Sequence, residues 1–138
     1  MLKFISRLDS IFSDLWCSDL VVSLERPINS SVSGPILFSV QMFVYRFLFE
    51  NGFDGKIVNP LPVQLKSYMK KAGVEDISCK SGVVRACRQR TGLGRISSHE
   101  ADAYFLALMA REVVLGTYKY KRPTDKVGIH SLEVIYGY

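Results

Sequence analysis

Asp19-Leu20-Val21-Val22-Ser23-Leu24-Glu25-Arg26-Pro27 is the stretch on which the reading of this chain turns. Leu20 to Leu24 is a short, nearly continuous apolar run, closed by two charged residues and a proline. A run of this length, bounded in this way, predicts a strand buried on both faces. Glu25 then stands at the carboxyl end of that strand. In open α/β sheets ligands bind along that edge, and a rigid strand holds the glutamate in place. An ordinary polar residue where a strand meets solvent would look the same.

The flanking pattern is helical. Leu2, Ile5, Leu8, Ile11, Phe12 and Leu15 alternate threes and fours, which predicts an amphipathic helix from Leu2 to Trp16. After a polar loop from Asn29 to Gly34, Pro35 suits the first turn of a helix that runs to Glu50 and stops at Asn51-Gly52. The aromatic run from Phe38 to Phe49 within it reads as core or subunit interface. Lys56 to Asn59 predicts a second strand, halted by Pro60 and Pro62; Val63 to Lys71 and Cys79 to Arg90 predict two further helices. Ser97-x-x-Glu100 has the form of a capping box, opening a helix that continues to Leu115 before Gly116. Leu132 to Tyr136 offers a possible strand in the tail. Helix and strand alternate as in an α/β fold with parallel strands, although two strands make a poor sheet.

The chain has 138 residues, 48% of them apolar and 22% charged. That is ordinary for one globular domain and too apolar for a disordered chain. The longest apolar stretches are interrupted by Arg46 and Glu50 or by Asp102 and Arg111, so no membrane-spanning helix is expected. Cys17, Cys79 and Cys87 contain no CxxC pair, and neither His99 nor His130 has zinc-ligand spacing with them. The opening Met1 to Arg7 looks like the start of a signal peptide, but Asp9 and Asp14 interrupt it. These features point to a reducing, cytoplasmic setting.

The net charge is +5, and it is uneven. Lys66, Lys70, Lys71, Lys80, Arg85, Arg88, Arg90 and Arg95 face only Glu75 and Asp76 in their segment, an excess larger than that of the whole chain. Such a block is either a solvated helical face or a phosphate-neutralising surface. Lys119, Lys121, Arg122 and Lys126 would extend it, with Tyr118 and Tyr120 placed to stack on bases or simply to pack. His99 and Asp102, three apart on one helix face, make half of a divalent-cation site. An acidic residue near a helix N-terminus also has a plainer use, through the macrodipole. No phosphate-binding GxxxxGK[ST] loop, GxGxxG turn or GxSxG elbow is present.

Three segments in this order resemble the RuvC-like Holliday junction resolvases of the RNase H-like superfamily, in their phage and bacterial form. Asp19 to Pro27 resembles the family's central strand, ending in its catalytic glutamate. Asn59 to Lys66, with Lys70, Lys71, Gly73 and Lys80, resembles the stretch that supplies DNA-contacting lysines. Ser98 to Leu108 resembles the final catalytic helix, with His99 and Asp102 on its two metal-site positions. The resemblance covers residues 1–116 and leaves 117–138 as a basic extension. Family members begin with three strands, the first carrying a catalytic Asp; this chain has no counterpart to them, and Asp9, Asp14 and Asp19 are poor substitutes.

The resemblance implies an α/β, RNase H-like fold whose first strands are missing or supplied by another chain. It implies a catalytic and metal-binding set of Glu25, His99 and Asp102, three of four expected ligands, holding two Mg²⁺ or Mn²⁺ ions at a scissile phosphate. It also implies nucleic-acid contacts by Lys66, Lys70, Lys71, Lys80, Arg85 and Arg88. The partners implied are branched DNA and either a second copy or a complementing chain, in the cytoplasm of a bacterial or phage-infected cell and away from membranes. A non-catalytic, resolvase-like DNA-binding or structural subunit is the alternative.

Overall fold

The computed structural model describes residues 2–15, 19–27, 34–120 and 122–132. Among them the chain is mixed α/β: α1 (Leu2–Leu15), β1 (Val21–Ser23), α2 (Gly34–Glu50), β2 (Lys56–Val58), α3 (Pro62–Lys71), α4 (Lys80–Thr91), α5 (Ser98–Leu115), a 3₁₀ turn (Pro123–Asp125) and β3 (Ile129–His130). The order read from the sequence as far as α5 is the order observed, with ends shifted by a residue or so. β1 and β2 run parallel, with Val22 opposite Ile57, and α2 forms the crossover between them. No helix is long and apolar enough to cross a membrane, among the described residues.

Two features depart from the sequence reading. First, β1 is half-buried along its length, not buried on both faces, because it is an edge strand of a sheet ordered β1-β2-β3. Second, the sheet is not purely parallel. β3 pairs antiparallel with β2, Ile57 opposite His130, and it comes from two residues with no strand signature of their own. Residues 133–136 of the expected tail strand lie outside the described residues, as do Cys17 and residues 29–33 of the expected loop. Leu132, at the start of that expected strand, is buried against the α2 side of the sheet.

The sheet separates two apolar cores, and β2 feeds both because alternate side chains of a strand point to opposite faces. Val58 joins Leu65, Met69, Val83, Cys87, Phe105 and Met109 beneath α3, α4 and α5. Ile57 joins Val44, Phe47, Leu48 and Phe53 beneath α2, where Leu8 and Phe12 of α1 also pack. Phe105, Met109, Ile57 and Leu48 are fully buried. The aromatic run of α2 is therefore core only in its second half. Ile36, Leu37, Phe38 and Val40 in its first half are exposed.

Local chemistry fixes the ends of these elements. The Ser97 N–H donates to Glu100 Oε2 at 2.7 Å and the Glu100 N–H donates to Ser97 Oγ at 3.2 Å, the reciprocal capping box expected for α5. Before α4, the Asp76 carboxylate accepts from the Ser78 N–H at 3.1 Å, the Ser78 hydroxyl at 2.6 Å and the Cys79 thiol at 3.0 Å. These donors hold its pKa down at about 2. Gly116, with φ +72°, ends α5 in the left-handed region that glycine enters at little cost.

Candidate active site and basic surface

Glu25 sits just past β1, and its main chain is clamped from both sides. The Leu24 N–H donates to the Val58 carbonyl at 3.1 Å and the Arg26 N–H donates to the Pro60 carbonyl at 2.8 Å, carrying the β1–β2 pairing beyond both strands. Prolines at 60 and 62 end the second strand but leave these carbonyls free to accept. The Leu24 carbonyl in turn accepts from the Asn59 side-chain amide at 2.9 Å. Asn59 belongs to a buried polar chain: Gln41 Nε2 donates to Tyr45 Oη at 2.9 Å, and that hydroxyl donates to Asn59 Oδ1 at 2.8 Å.

The fold brings two sequence-distant charges to the Glu25 carboxyl. Partial burial raises its pKa above the ordinary glutamate value, the Asp102 carboxylate pushes it the same way, and the Lys66 ammonium pulls it back. Asp102 lies in the second turn of α5, exposed, and Lys66 is exposed on α3. Packing of α5 against β1 and α3 is what gathers these three side chains. His99, in the first turn of α5, is exposed and stands outside the charges acting on Glu25.

Among the described residues, no group of three or more His, Cys, Asp and Glu side chains is gathered so as to hold a metal ion. Mg²⁺ demands near-octahedral oxygen coordination. Two carboxylates beside a lysine fall short of that, so the described donors do not by themselves make a metal centre. Beside them the sheet is open. A groove of about 920 Å³ lies between α5 and the start of β1 and β2, lined among others by Leu20, Val21, Gly55, Lys56, Leu106 and Ala110. β1 is an edge strand, and no strand among the described residues pairs its outer main-chain groups.

The predicted basic residues divide between two places. Lys66 stands at the carboxylates, whereas Lys71 lies on another surface, 4.9 Å above the Tyr118 ring, with its ammonium donating to the Lys119 carbonyl. Lys70 is exposed beside it at the end of α3, and Lys80, Arg85 and Arg88 are exposed on α4. Tyr118 and Tyr120 pack edge to face at 4.8 Å and lean on the core, so packing is at least part of their use.

Sequence reasoning missed two residues. Asn59, a buried polar residue directly after a strand, carried a usable signal in its position before Pro60. Arg111 lines both the β1 groove and a cleft on the far side of α5, and its place in an apolar helix was the clue. No protein family model, curated protein or solved structure matches the chain.

Proposed function

We propose that the chain is a RuvC-like, RNase H-like subunit of a metal-dependent endonuclease acting on branched DNA such as Holliday junctions. In this reading a further strand, laid along the free edge of β1, completes its active site. The observation that carries the reading is the convergence of Glu25, Asp102 and Lys66 at the carboxyl end of β1. A carboxyl whose charge a neighbouring carboxylate disfavours, as Asp102 does for Glu25, is poised for a cation or a proton. Lys66 would meet phosphate. The open edge of β1 is the feature that strand addition uses, and an acidic residue on the added strand would supply the missing oxygen donors. Two copies would set two sites across a four-way junction, in the cytoplasm of a bacterial or phage-infected cell.

The test is junction cleavage with Mg²⁺ or Mn²⁺, by the full chain alone and with strand-bearing partners recovered with it. Glu25→Gln and Asp102→Asn are each expected to abolish cleavage. Cleavage that survives either substitution overturns the reading. The two-carboxylate donor set favours a second reading, a non-catalytic DNA-binding subunit. Calorimetry separates the two, because tight binding of two divalent ions lost in Glu25→Gln excludes the second.

A further inference from the structure

Four basic side chains away from the carboxylates converge on a second place. Lys71 at the end of α3, Arg90 at the end of α4, Arg111 on α5 and Lys119 beyond α5 line one cleft of about 580 Å³. Two of them are oriented by neutral groups. Lys71 rests on the Tyr118 ring and the Lys119 carbonyl, while Arg90 donates to the Ala72 carbonyl and sits 5.6 Å from the centroid of the Phe105 ring. Carbonyls and ring faces direct a cation without cancelling its charge. Among the described residues the one ion pair is Arg46 with Glu50, so none of these four cations is paired with a carboxylate. Glu112, the acid in the lining, bears instead on the Tyr68 hydroxyl.

Four cations against one carboxylate, two of them directed and none ion-paired among the described residues, fit an anionic ligand. The cavity lies in the range of roughly 300–1,000 Å³ typical of small-ligand sites, too large for a bare phosphate. Tyr118, half-buried in the lining between the rings of Tyr68 and Tyr120, serves there to seat the Lys71 ammonium. We propose that this cleft binds a nucleotide unit of a nucleic-acid strand through its phosphate. The inference rests on the nucleic-acid reading above and adds a contact remote from its carboxylates. Arg111 is nine residues beyond Asp102 on α5, roughly 13 Å along the helix at its usual rise. Nine residues also carry the helix through about two and a half turns, so a strand crossing the carboxylates would pass round α5 to reach the cleft.

The test is fluorescence anisotropy of labelled single-stranded and four-way-junction oligonucleotides, titrated with the full chain at several salt concentrations. The double variant R90Q/R111Q is expected to weaken binding about tenfold and to flatten the salt dependence by about 0.7 in log–log slope per cation removed. The pair K3Q/R7Q removes the same charge from α1, across the sheet, and is expected to leave both quantities near wild type. Equal losses in the two pairs overturn the proposal, since net charge would then account for them. If R90Q/R111Q loses its circular dichroism, Arg111→Gln alone, at an exposed position, carries the same test. Competition with ATP separates a strand site from a free-nucleotide site: displacement by ATP at the affinity of the strand overturns the strand assignment. Cleft-dependent binding without junction cleavage, even with strand-bearing partners and Mg²⁺ or Mn²⁺ present, overturns the nuclease reading alone, whereas unchanged binding in R90Q/R111Q overturns this one alone.

Discussion

The side-chain amide of Asn59 donates to the main-chain carbonyl of Leu24 at 2.9 Å, tying the end of β2 to the residue before Glu25. Its other side-chain atom accepts from Tyr45, so one buried amide joins α2, β2 and the candidate site. Asn59→Ala leaves both the Leu24 carbonyl and the Tyr45 hydroxyl short of a partner. The Tyr45 hydroxyl keeps its bond from Gln41 and Leu24 is only half-buried, so the two losses together amount to about one fully deprived buried group, about 1–3 kcal/mol. Urea unfolding is expected to show a loss in that range. Tyr45→Phe, which removes only the hydroxyl, should cost less. An Asn59→Ala variant as stable as wild type would show that the network does not position Glu25.

Gly55 sits where β2 begins, and close approach rather than backbone conformation explains it. A Cβ there would lie 2.3 Å from the Leu20 carbonyl oxygen and 2.6 Å from the Phe53 ring. The first is main chain of the segment leading into β1 and the second is a buried ring, so neither yields easily. Gly55→Ala is expected to cost about 1–3 kcal/mol, the range for overpacking. Gly94→Ala is the control, since a Cβ there meets nothing within 4 Å. Thermal melts of the two variants give the comparison, and equal melting temperatures would contradict the packing argument.

Ser97 and Glu100 cap the helix that carries His99 and Asp102. Ser97→Ala removes the acceptor for the Glu100 N–H, and such caps contribute about 1 kcal/mol. It also has a pH signature. The Ser97 main-chain N–H, foremost, holds the Glu100 pKa below its ordinary value. A lowered carboxylate contributes stability that is present above its ordinary pKa and fades as pH falls through the folded value. Glu100→Gln is therefore expected to lose stability at neutral pH and to converge with wild type in acid. Denaturation at several pH values measures this; a constant offset would point to a cause other than the carboxylate.

Much of the helical layout was legible because its signals are local: caps, glycine stops and spacing by threes and fours. The sheet was harder. β1 read as doubly buried because Leu20 to Leu24 is apolar but for Ser23, yet an edge strand beside an open groove carries the same residues. β3 was illegible, because two residues held by pairing with β2 have no periodicity of their own. At the candidate site, Glu25 and Asp102 were visible singly from strand end and helix start. Their proximity, and the part played by Lys66, depend on how α3 and α5 pack on β1. The basic block was legible as composition but not as two surfaces. Arg90 and Lys71 turn away from Lys66 because each is directed by a carbonyl and a ring that spacing alone does not reveal.

Glu25 and Asp102 also set an expectation for stability against pH. The Glu25 pKa is raised, by burial first and by Asp102 second, so the folded chain holds this proton more tightly than the unfolded chain does. Stability then falls as pH rises from the ordinary glutamate value through the folded one, the opposite of the usual carboxylate case. Glu25→Gln removes the charge that folding disfavours. It is expected to be more stable than wild type at neutral pH and equal to it in acid, where wild-type Glu25 is already neutral. Partial exposure keeps the difference below about 1 kcal/mol. Asp102→Asn should give a smaller gain by relieving the repulsion, whereas Lys66→Gln, which removes the attraction, should lower stability at neutral pH. Melting temperatures of the three variants across the acid-to-neutral range test the set. If Glu25→Gln is less stable than wild type at neutral pH, the carboxylate is held by favourable partners and the picture of a strained acidic pair is wrong.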